Sequence, residues 1–483
     1  MISYPDLKDF FKNQKVKTII AADAETRIAE KKGDTIIEKI PAGGVSVALD
    51  PIAKASGAVY IARGKNDVEK KLEDSRLEVD DLDGKYTLKR LFFSQEDIDS
   101  YYYGFSNQTL WPLCHVAWER PAFHKKWYEG FKKVNQKFAQ SIKEEIKGKT
   151  FVWVNDYQLC LVPKYLDKPK NTKIAMFWHI PWPRWEVFRI LPWKKDILES
   201  ILKCDLLAFH RGYQARNFLD TVRRELEARI DEETSTIHYN GSLTTVKNLP
   251  MGIDTDVIKS LIDKEQIGSK ENGINGFLTD GNRMILGVDR LDYTKGLKVR
   301  LMAIDRFFER NSQYIGKVVY AGILAPSREK IPAYETLKKE IEASAKLINK
   351  KYGTNKWQPI HLIYKLFSRE KIVNFYNKAD ICLVTPLDDG MNLVSKEFVV
   401  ASFFAKTPGM LVLSQFAGSA IDLTQALIVN PYDIDQVVGA IKKGLEMSDA
   451  EKIKRIKNMA EVLDEKNIYE WAQEFVRSAV TAG

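Results

Sequence analysis

Cysteine is scarce: Cys114, Cys160, Cys204 and Cys382 are the only thiols in 483 residues, and each sits in an apolar run. Wide spacing of this kind is not a disulfide framework or a zinc-finger pattern, and it reads as buried thiols in a reducing compartment. Histidine is equally sparse, with six residues at 115, 124, 179, 210, 238 and 361 and no H-x-x-x-H pair. No structural or catalytic metal is therefore expected. No apolar run approaches the ~18 residues of a spanning helix. The opening MISYPDLKDFFKNQ is too charged for a signal peptide. These absences predict a cytoplasmic protein with no membrane partner. There is no dense basic tail and no RNA-binding aromatic signature, so nucleic acid is not an expected partner. The chain also lacks a G-x-S-x-G nucleophile elbow, a P-loop lysine and a dinucleotide glycine fingerprint.

Apolar residues make up 45% of the chain and charged residues 29%, the balance of a globular protein. Its length exceeds what one core supports and predicts two or three domains. Lys and Arg total 74 against 65 Asp and Glu, a formal charge of +9. That small excess needs only a local positive pocket, and an anionic metabolite is the simplest partner.

Short apolar runs alternate with amphipathic stretches, the signal of an α/β fold. In the first half KVKTIIAA (15–22), TFVWVND (150–156), KIAMFWH (173–179) and CDLLAFH (204–210) read as strands. The last three end in a polar residue, where open parallel sheets bind ligands. The polar, glycine-containing stretch between about 254 and 283 predicts a domain boundary. A second series follows: RMILGVDR (283–290), KVVYAGIL (317–324), PIHLIY (359–364), ADICLVTP (379–386), MLVLSQ (410–415) and ALIVN (426–430). Tyr334, Leu337, Ile341, Ala345 and Ile348 recur at helical spacing within it. NIYEWAQEFVRSAV near the end is a helix whose apolar stripe, Ile468, Trp471 and Phe475, must pack on something. Two Rossmann-like domains facing a central cleft are expected.

Several strand ends carry candidate chemistry. Arg290 and Lys295 in GVDRLDYTKG could neutralise a diphosphate leaving group, or pair with Asp289 or Asp292 on the surface. TPLDDGMNLVSKE (385–397) places a turn before a helix whose first N–H groups could hold phosphate; an aspartate-rich helix cap is the plainer reading. Glu397, about two turns in, could reach a ribose. Asp156 and His179 stand at strand ends, and Pro181 and Pro183 stiffen the loop after His179. YYYGFSNQTLWP (101–112) is a sugar or phosphate wall, or equally a core turn.

Taken together, YYYGFSNQTLWP, VWVNDYQLCLVP, MFWHIPWPRWEVFRILPW, GVDRLDYTKGL, PLDDGMNLVSKE and VLSQFAGSA resemble, in order and spacing, the trehalose-6-phosphate synthases. That retaining glycosyltransferase family also contains glucosylglycerol-phosphate synthases. The resemblance implies two Rossmann-like domains of GT-B type. Residues 1–252 would bind the acceptor and 253–464 the nucleotide sugar, and 465–483 would form a helix returning to the first domain. It implies donor binding by Gly43, Gly44, Arg290, Lys295, Asp389, Gly390, Met391, Asn392, Leu393 and Glu397. Acceptor binding would fall to Tyr102, Trp111, Asp156, His179 and Arg328, with Arg290, Lys295, Asp156 and His179 carrying catalysis. The implied substrates are UDP- or ADP-glucose and glucose 6-phosphate, with no cofactor and no metal.

One departure lies on the acceptor side. The family's Ser-Asn-Arg run after the first strand is replaced by AADAETRIAE (21–30), and a tryptophan-rich stretch by GAVYIARG (57–64). Arg27 or Arg63 is expected to stand in for the missing arginine. Glycerol 3-phosphate is the alternative acceptor, a non-catalytic sugar-phosphate sensor is the alternative class, and a phosphorylase has no independent signal. No phosphatase domain is expected after the terminal helix, so a separate phosphatase would act on the product. An exposed apolar patch would support a homo-oligomer.

Overall fold

The computed structural model describes residues 2–32, 35–41, 44–65, 67–71, 76–265, 281–405 and 408–482. It divides into two compact units, Met1–Met251 with Ile468–Gly483, and Gly252–Asn467.

The first unit contains β1 (Lys17–Ala21), β2 (Ile28–Lys32), β3 (Thr35–Lys39), β4 (Val59–Arg63), β5 (Arg76–Asp81), β6 (Gly84–Leu91), β7 (Thr150–Asn155), β8 (Thr172–Phe177), β9 (Leu206–Phe209), β10 (Arg229–Asp231), β11 (Thr236–Tyr239) and β12 (Ser242–Asn248). Its main sheet runs β10-β11-β12-β9-β8-β7-β1-β4-β6-β5. From β12 to β6 every pair is parallel. β5, β10 and β11 are antiparallel additions at the edges. The inner strands are apolar on both faces because helices cover both, which is why TFVWVN is buried at every position. β2 and β3 form a separate hairpin.

The helix Ile468–Thr481 belongs to this unit and lies over β7 and β8. Phe475 meets Trp153 at a ring separation of 4.4 Å, and Trp471 meets Phe177 at 5.0 Å. Trp471 Nε1 donates to the Leu249 carbonyl at 3.1 Å. Burying each such ring stabilises the unit by about 3 kcal/mol.

The second unit contains β13 (Arg283–Arg290), β14 (Val318–Ala325), β15 (Ile360–Ile363), β16 (Ile381–Val384), β17 (Met410–Ser414) and β18 (Leu427–Val429). The sheet order is β15-β14-β13-β16-β17-β18, all parallel. In order of appearance this is 3-2-1-4-5-6, the doubly wound Rossmann arrangement, whose ligand crevice opens where the order reverses. Here the reversal falls between β13 and β16. In the first unit β6-β4-β1-β7-β8-β9 repeats the same order, and its reversal falls between β1 and β7. The helix Pro332–Tyr352 buries Tyr334, Leu337, Ile341, Ala345 and Ile348, the stripe expected from their spacing.

The polar stretch expected to hold the domain boundary divides. Residues 255–265 are helical within the second unit, and 266–280 lie outside the described residues. The chain leaves the first unit at Gly252, whose backbone abuts Lys466 and Asn467. A Cβ at Gly252 would stand 2.2 Å from the Lys466 carbonyl oxygen, so no side chain fits there.

Candidate active site

At the reversal point of the second unit, β13 ends on Arg290, and Asp292 caps the 3₁₀ turn Tyr293–Lys295. Gly296 closes that turn at φ +65°, and a Cβ there would meet the Thr385 carbonyl at 2.1 Å. Glycine therefore lets the loop after β13 lie against the end of β16. Buried Arg300 bolts the two strand ends together, with Nη1 donating to Asp289 at 2.7 Å and Nε to Thr385 Oγ1 at 2.9 Å. Burial raises the Asp289 pKa, against the pull of Arg300.

That frame brings Lys295 Nζ onto Asp389, whose Oδ2 also accepts from Asn392 Nδ2 at 3.0 Å. Asn392 is in the left-handed region, φ +73°, and caps the helix Leu393–Phe404 by accepting from Ser395 N at 3.0 Å. Gly390 and Met391 are buried in the turn between them, and Leu393 opens the helix. Glu397 faces Arg369, which donates to Oε1 at 3.0 Å. The Arg290 guanidinium is 3.9 Å from Asp292 and 44% exposed. An exposed guanidinium beside a buried ammonium, next to a helix start, is a binding place for an extended anion. Arg290 does stand beside Asp292, at the long end of ion-pair distance, but Asp292 is fully buried, so the pair is not the surface one expected.

Arg328 stands in the same unit at φ +51°, donating to Asp292 Oδ2 at 3.0 Å and to the Tyr334 hydroxyl. Burial alone would raise the Asp292 carboxyl, but Arg328, Arg290 and Lys295 hold it near 2. Asp292 is thus a buried anion that spaces three cations around one point.

The reversal point of the first unit has different chemistry. Asp156 follows β7 at φ +70°, ψ 168°, a region that only glycine ordinarily occupies, at a strain of about 1–3 kcal/mol. What holds it is its own Oδ1, which accepts from Tyr157 N at 2.9 Å and His179 N at 3.0 Å. His179 follows β8, buried, with its ring 4.5 Å from Phe177. Burial pushes its pKa down to about 3, so it is neutral at pH 7.

A one-way chain of hydrogen bonds fixes its tautomer. Met251 N–H donates to His210 Nδ1 at 3.4 Å, so His210 carries its proton on Nε2 and donates to His179 Nδ1 at 3.3 Å. His179 then donates from Nε2 to Asn155 Oδ1 at 3.3 Å, and Asn155 Nδ2 donates to the Ala21 carbonyl at 3.3 Å. A backbone donor at one end and a backbone acceptor at the other leave a single arrangement of protons.

YYYGFSNQTLWP, read as a wall or a core turn, forms most of a π-helix over Asp99–Leu110, a rare geometry associated with functional sites. Asn107 Nδ2 donates to the Tyr102 carbonyl at 2.7 Å, and Tyr157 Oη donates to Asn107 Oδ1 at 2.8 Å, pinning that turn to the loop carrying Asp156. Tyr102 is half-buried; Trp111 is buried against His115 and Tyr157. Arg63, at the end of β4, lies 4.9 Å over the Tyr102 ring. Its Nε and Nη2 fork onto Asp23 at 2.8 and 2.9 Å, and Tyr101 Oη donates to the same carboxylate at 3.0 Å. Arg27 is separate from that group: it is committed to Asp50 at 2.6 Å and Asp81 at 2.8 Å, with Lys54 on the same two carboxylates.

Gly44 caps the helix Val45–Ser56 at φ +87° with open space around its Cβ position; it belongs to the first unit, and Gly43 lies outside the described residues. His210, Asn155, Asp23, Arg300 and Asp292 were not singled out for a site role by their sequence context. For all but Arg300, which lies in the helix Leu297–Arg310, the one available signal was a position at or just beyond a strand end. Among the described residues no group of three or more His, Cys, Asp or Glu is placed to hold a metal ion. No described helix is long and apolar enough to cross a membrane. All four cysteines are free and buried.

Known proteins match this arrangement along its length. The family described as Glycosyltransferase family 20 matches residues 13–481. An alpha,alpha-trehalose-phosphate synthase (UDP-forming) of Pichia angusta is 35% identical over 403 residues, covering 82% of this chain and 84% of the relative. The solved structure of an alpha,alpha-trehalose-phosphate synthase (UDP-forming) from Burkholderia xenovorans in complex with glucose-6-phosphate superposes with a TM-score of 0.85 at 30% identity, covering 96% of this chain and 100% of that one. An E. coli structure bound with UDP-2-fluoro glucose gives a TM-score of 0.84 at 30% identity over 96% of this chain and 99% of that one. The chain belongs to glycosyltransferase family 20. It is an enzyme with the GT-B pair of Rossmann-like domains, of the trehalose-phosphate synthase type.

Proposed function

We propose that the protein transfers glucose from UDP-glucose to glucose 6-phosphate with retention of configuration, releasing UDP and α,α-trehalose 6-phosphate. The observation that carries this reading is the Lys295–Asp389 pair beside Arg290 at the reversal point of the second sheet. It supports a donor site there, with Arg290 and Lys295 on the diphosphate, Asp389 on the glucose hydroxyls, the Gly390–Leu393 turn on phosphate and sugar, and Glu397 on the ribose. The acceptor is assigned mainly to the first unit, through Asp156, Tyr102 and Trp111, with Arg328 on its phosphate. Arg63 supports the role of the absent early arginine better than Arg27, because it already lies on Tyr102.

In the reaction the bond from the glucose anomeric carbon to the β-phosphate oxygen breaks, and the bond to the acceptor O1 forms on the same face. The acceptor's hydroxyl proton passes to the departing phosphate. His179 does not take it: its Nδ1 already accepts from His210 and its Nε2 is a donor. The charge growing on the leaving phosphate is met by Arg290 and Lys295. The rest of the acceleration comes from holding both sugars in place. Free glucose is expected to be a very poor acceptor, since it leaves the phosphate-binding donors unmatched.

The four buried thiols support action in the cytoplasm. The reading further includes a separate phosphatase that consumes the product, and self-association of the chain. The test is to incubate the protein with UDP- or ADP-glucose and with glucose 6-phosphate or glycerol 3-phosphate. The product is identified by mass and by its anomeric protons. A higher kcat/KM for glycerol 3-phosphate overturns the acceptor assignment in favour of a glucosylglycerol-phosphate synthase. Binding of nucleotide sugar without transfer to any acceptor overturns the enzyme reading in favour of a sensor.

A further inference from the structure

The second unit has a cavity of about 370 Å³ at the end of its sheet opposite Arg290 and Lys295. Arg283, the first residue of β13, and Asp380, just before β16, form its floor; Lys378, Asp449 and Lys452 stand around it. Arg283 and Arg290 are the two ends of one strand, so this cavity is about 23 Å from the donor residues.

Lys452 is the unusual member. It is 4% exposed, yet its ammonium makes no hydrogen bond or ion pair among the described residues. The Lys452 stem is buried and its side chain lines the cavity, a helix position that a methionine or leucine would fill without the desolvation cost of a charge. The neighbouring Arg283 is differently placed, since its Nε donates to Asp380 at 2.9 Å and its Nη1 to the Leu445 carbonyl at 2.7 Å. That pairing holds the guanidinium rigid and leaves Asp380 largely compensated. Lys452 also lies in the opening turns of the helix Asp449–Glu465, capped by Ser448, so the positive end of a 17-residue helix borders the cavity. Burial and Arg283 push the Lys452 pKa down, against the weaker pull of Asp380 and Asp449.

We propose that this cavity is a phosphate-binding site, separate from the transfer chemistry, in which Lys452 and Lys378 receive the phosphate of a small phosphorylated polyol. The volume suits such a ligand. The two carboxylates of the lining fit the same class, because Asp449 and Asp380 would repel a bare polyanion but accept from hydroxyl groups.

The full-length protein provides the test without substitution. Pyridoxal 5′-phosphate condenses with a lysine amine, losing water, and borohydride reduces the imine to a stable amine that peptide mass mapping locates. Lys452 should be labelled ahead of the exposed lysines Lys442 and Lys457, and inorganic phosphate should slow that labelling by about tenfold. Glucose 6-phosphate is titrated in parallel. Protection at a lower concentration than inorganic phosphate assigns a sugar phosphate, and equal concentrations assign the phosphate group alone. Labelling of Lys452 that is no faster than at the surface, or that neither anion slows, overturns the site. Calorimetry with inorganic phosphate on Lys452→Met is the second arm: about tenfold weaker binding is expected, and unchanged affinity overturns the role of Lys452.

Discussion

At the carboxyl ends of β13 and β16 the second unit gathers Arg290, Lys295 and Arg328 around buried Asp292. At the matching ends of β1, β7 and β8 the first unit gathers Asp23, Asn155 and Asp156 with a neutral histidine. The strand order is the same in both sheets, so topology did not choose the chemistry; the residues placed at each reversal point did. Cations suit a leaving diphosphate, whose charge grows as the bond breaks. A fixed carboxylate and a neutral ring suit sugar hydroxyls, which need orientation rather than charge.

The sharpest way to break this contrast is to remove a cation from the charged side. Lys295→Ala and Arg290→Ala should each lower turnover by about 100-fold or more, the usual scale for losing charge stabilisation in a transition state. A near-normal kcat in a folded variant of either would refute the donor assignment.

On the other side the two candidate arginines should separate. Arg63→Gln should raise the KM for glucose 6-phosphate by about tenfold, with little change in the KM for UDP-glucose. Arg27→Gln should lower stability by about 1–2 kcal/mol in denaturant melts, because it removes one of the two cations on Asp50 and Asp81 while Lys54 stays, and leave acceptor kinetics alone. Exchanged outcomes would move the phosphate contact to Arg27.

Asp156→Gly should split activity from stability. Relief of an unfavourable φ should keep the melting temperature level or raise it, while turnover falls by about tenfold. A large loss of stability would show that the carboxylate mainly holds the loop.

The remaining expected effect is a slope with pH. The folded-state pKa of His179 lies near 3, below the ordinary 6.5. Between those values the unfolded chain binds a proton that the folded chain does not, so stability should fall as pH drops from 6.5 towards 3. His179→Gln should flatten urea midpoints across that window. Asp292, held near 2, adds its own loss only below about pH 4.

The inner strands of both sheets were legible because burial on two faces writes an unbroken apolar run. The edge strands β5 and β10 were not, since most of their residues are exposed and their sequences, such as RLEVDD, look like charged loop. β4 lies within GAVYIARG, where departure from the family pattern masks the strand, though its every residue is buried. Arg290, Lys295 and Asp389 could be found as polar groups at strand ends. The partners of Arg27 could not, because Asp50 and Asp81 lie 23 and 54 residues away in sequence. His210 looked like one more isolated histidine. Its meaning comes from a hydrogen-bond direction, which only three-dimensional neighbours define.

The helix Ile468–Thr481 gives the first unit an unusual biosynthetic history. A ribosome makes the β1–β12 region first, yet the residues that cover Trp153 and Phe177 emerge only after the whole second unit has been made. Until then the nascent chain carries an uncovered aromatic face beside β7 and β8. Early truncation products should therefore be sticky, chaperone-bound species rather than a stable half-protein. A version that joins residues 468–482 ahead of the amino terminus should release the first unit from that wait.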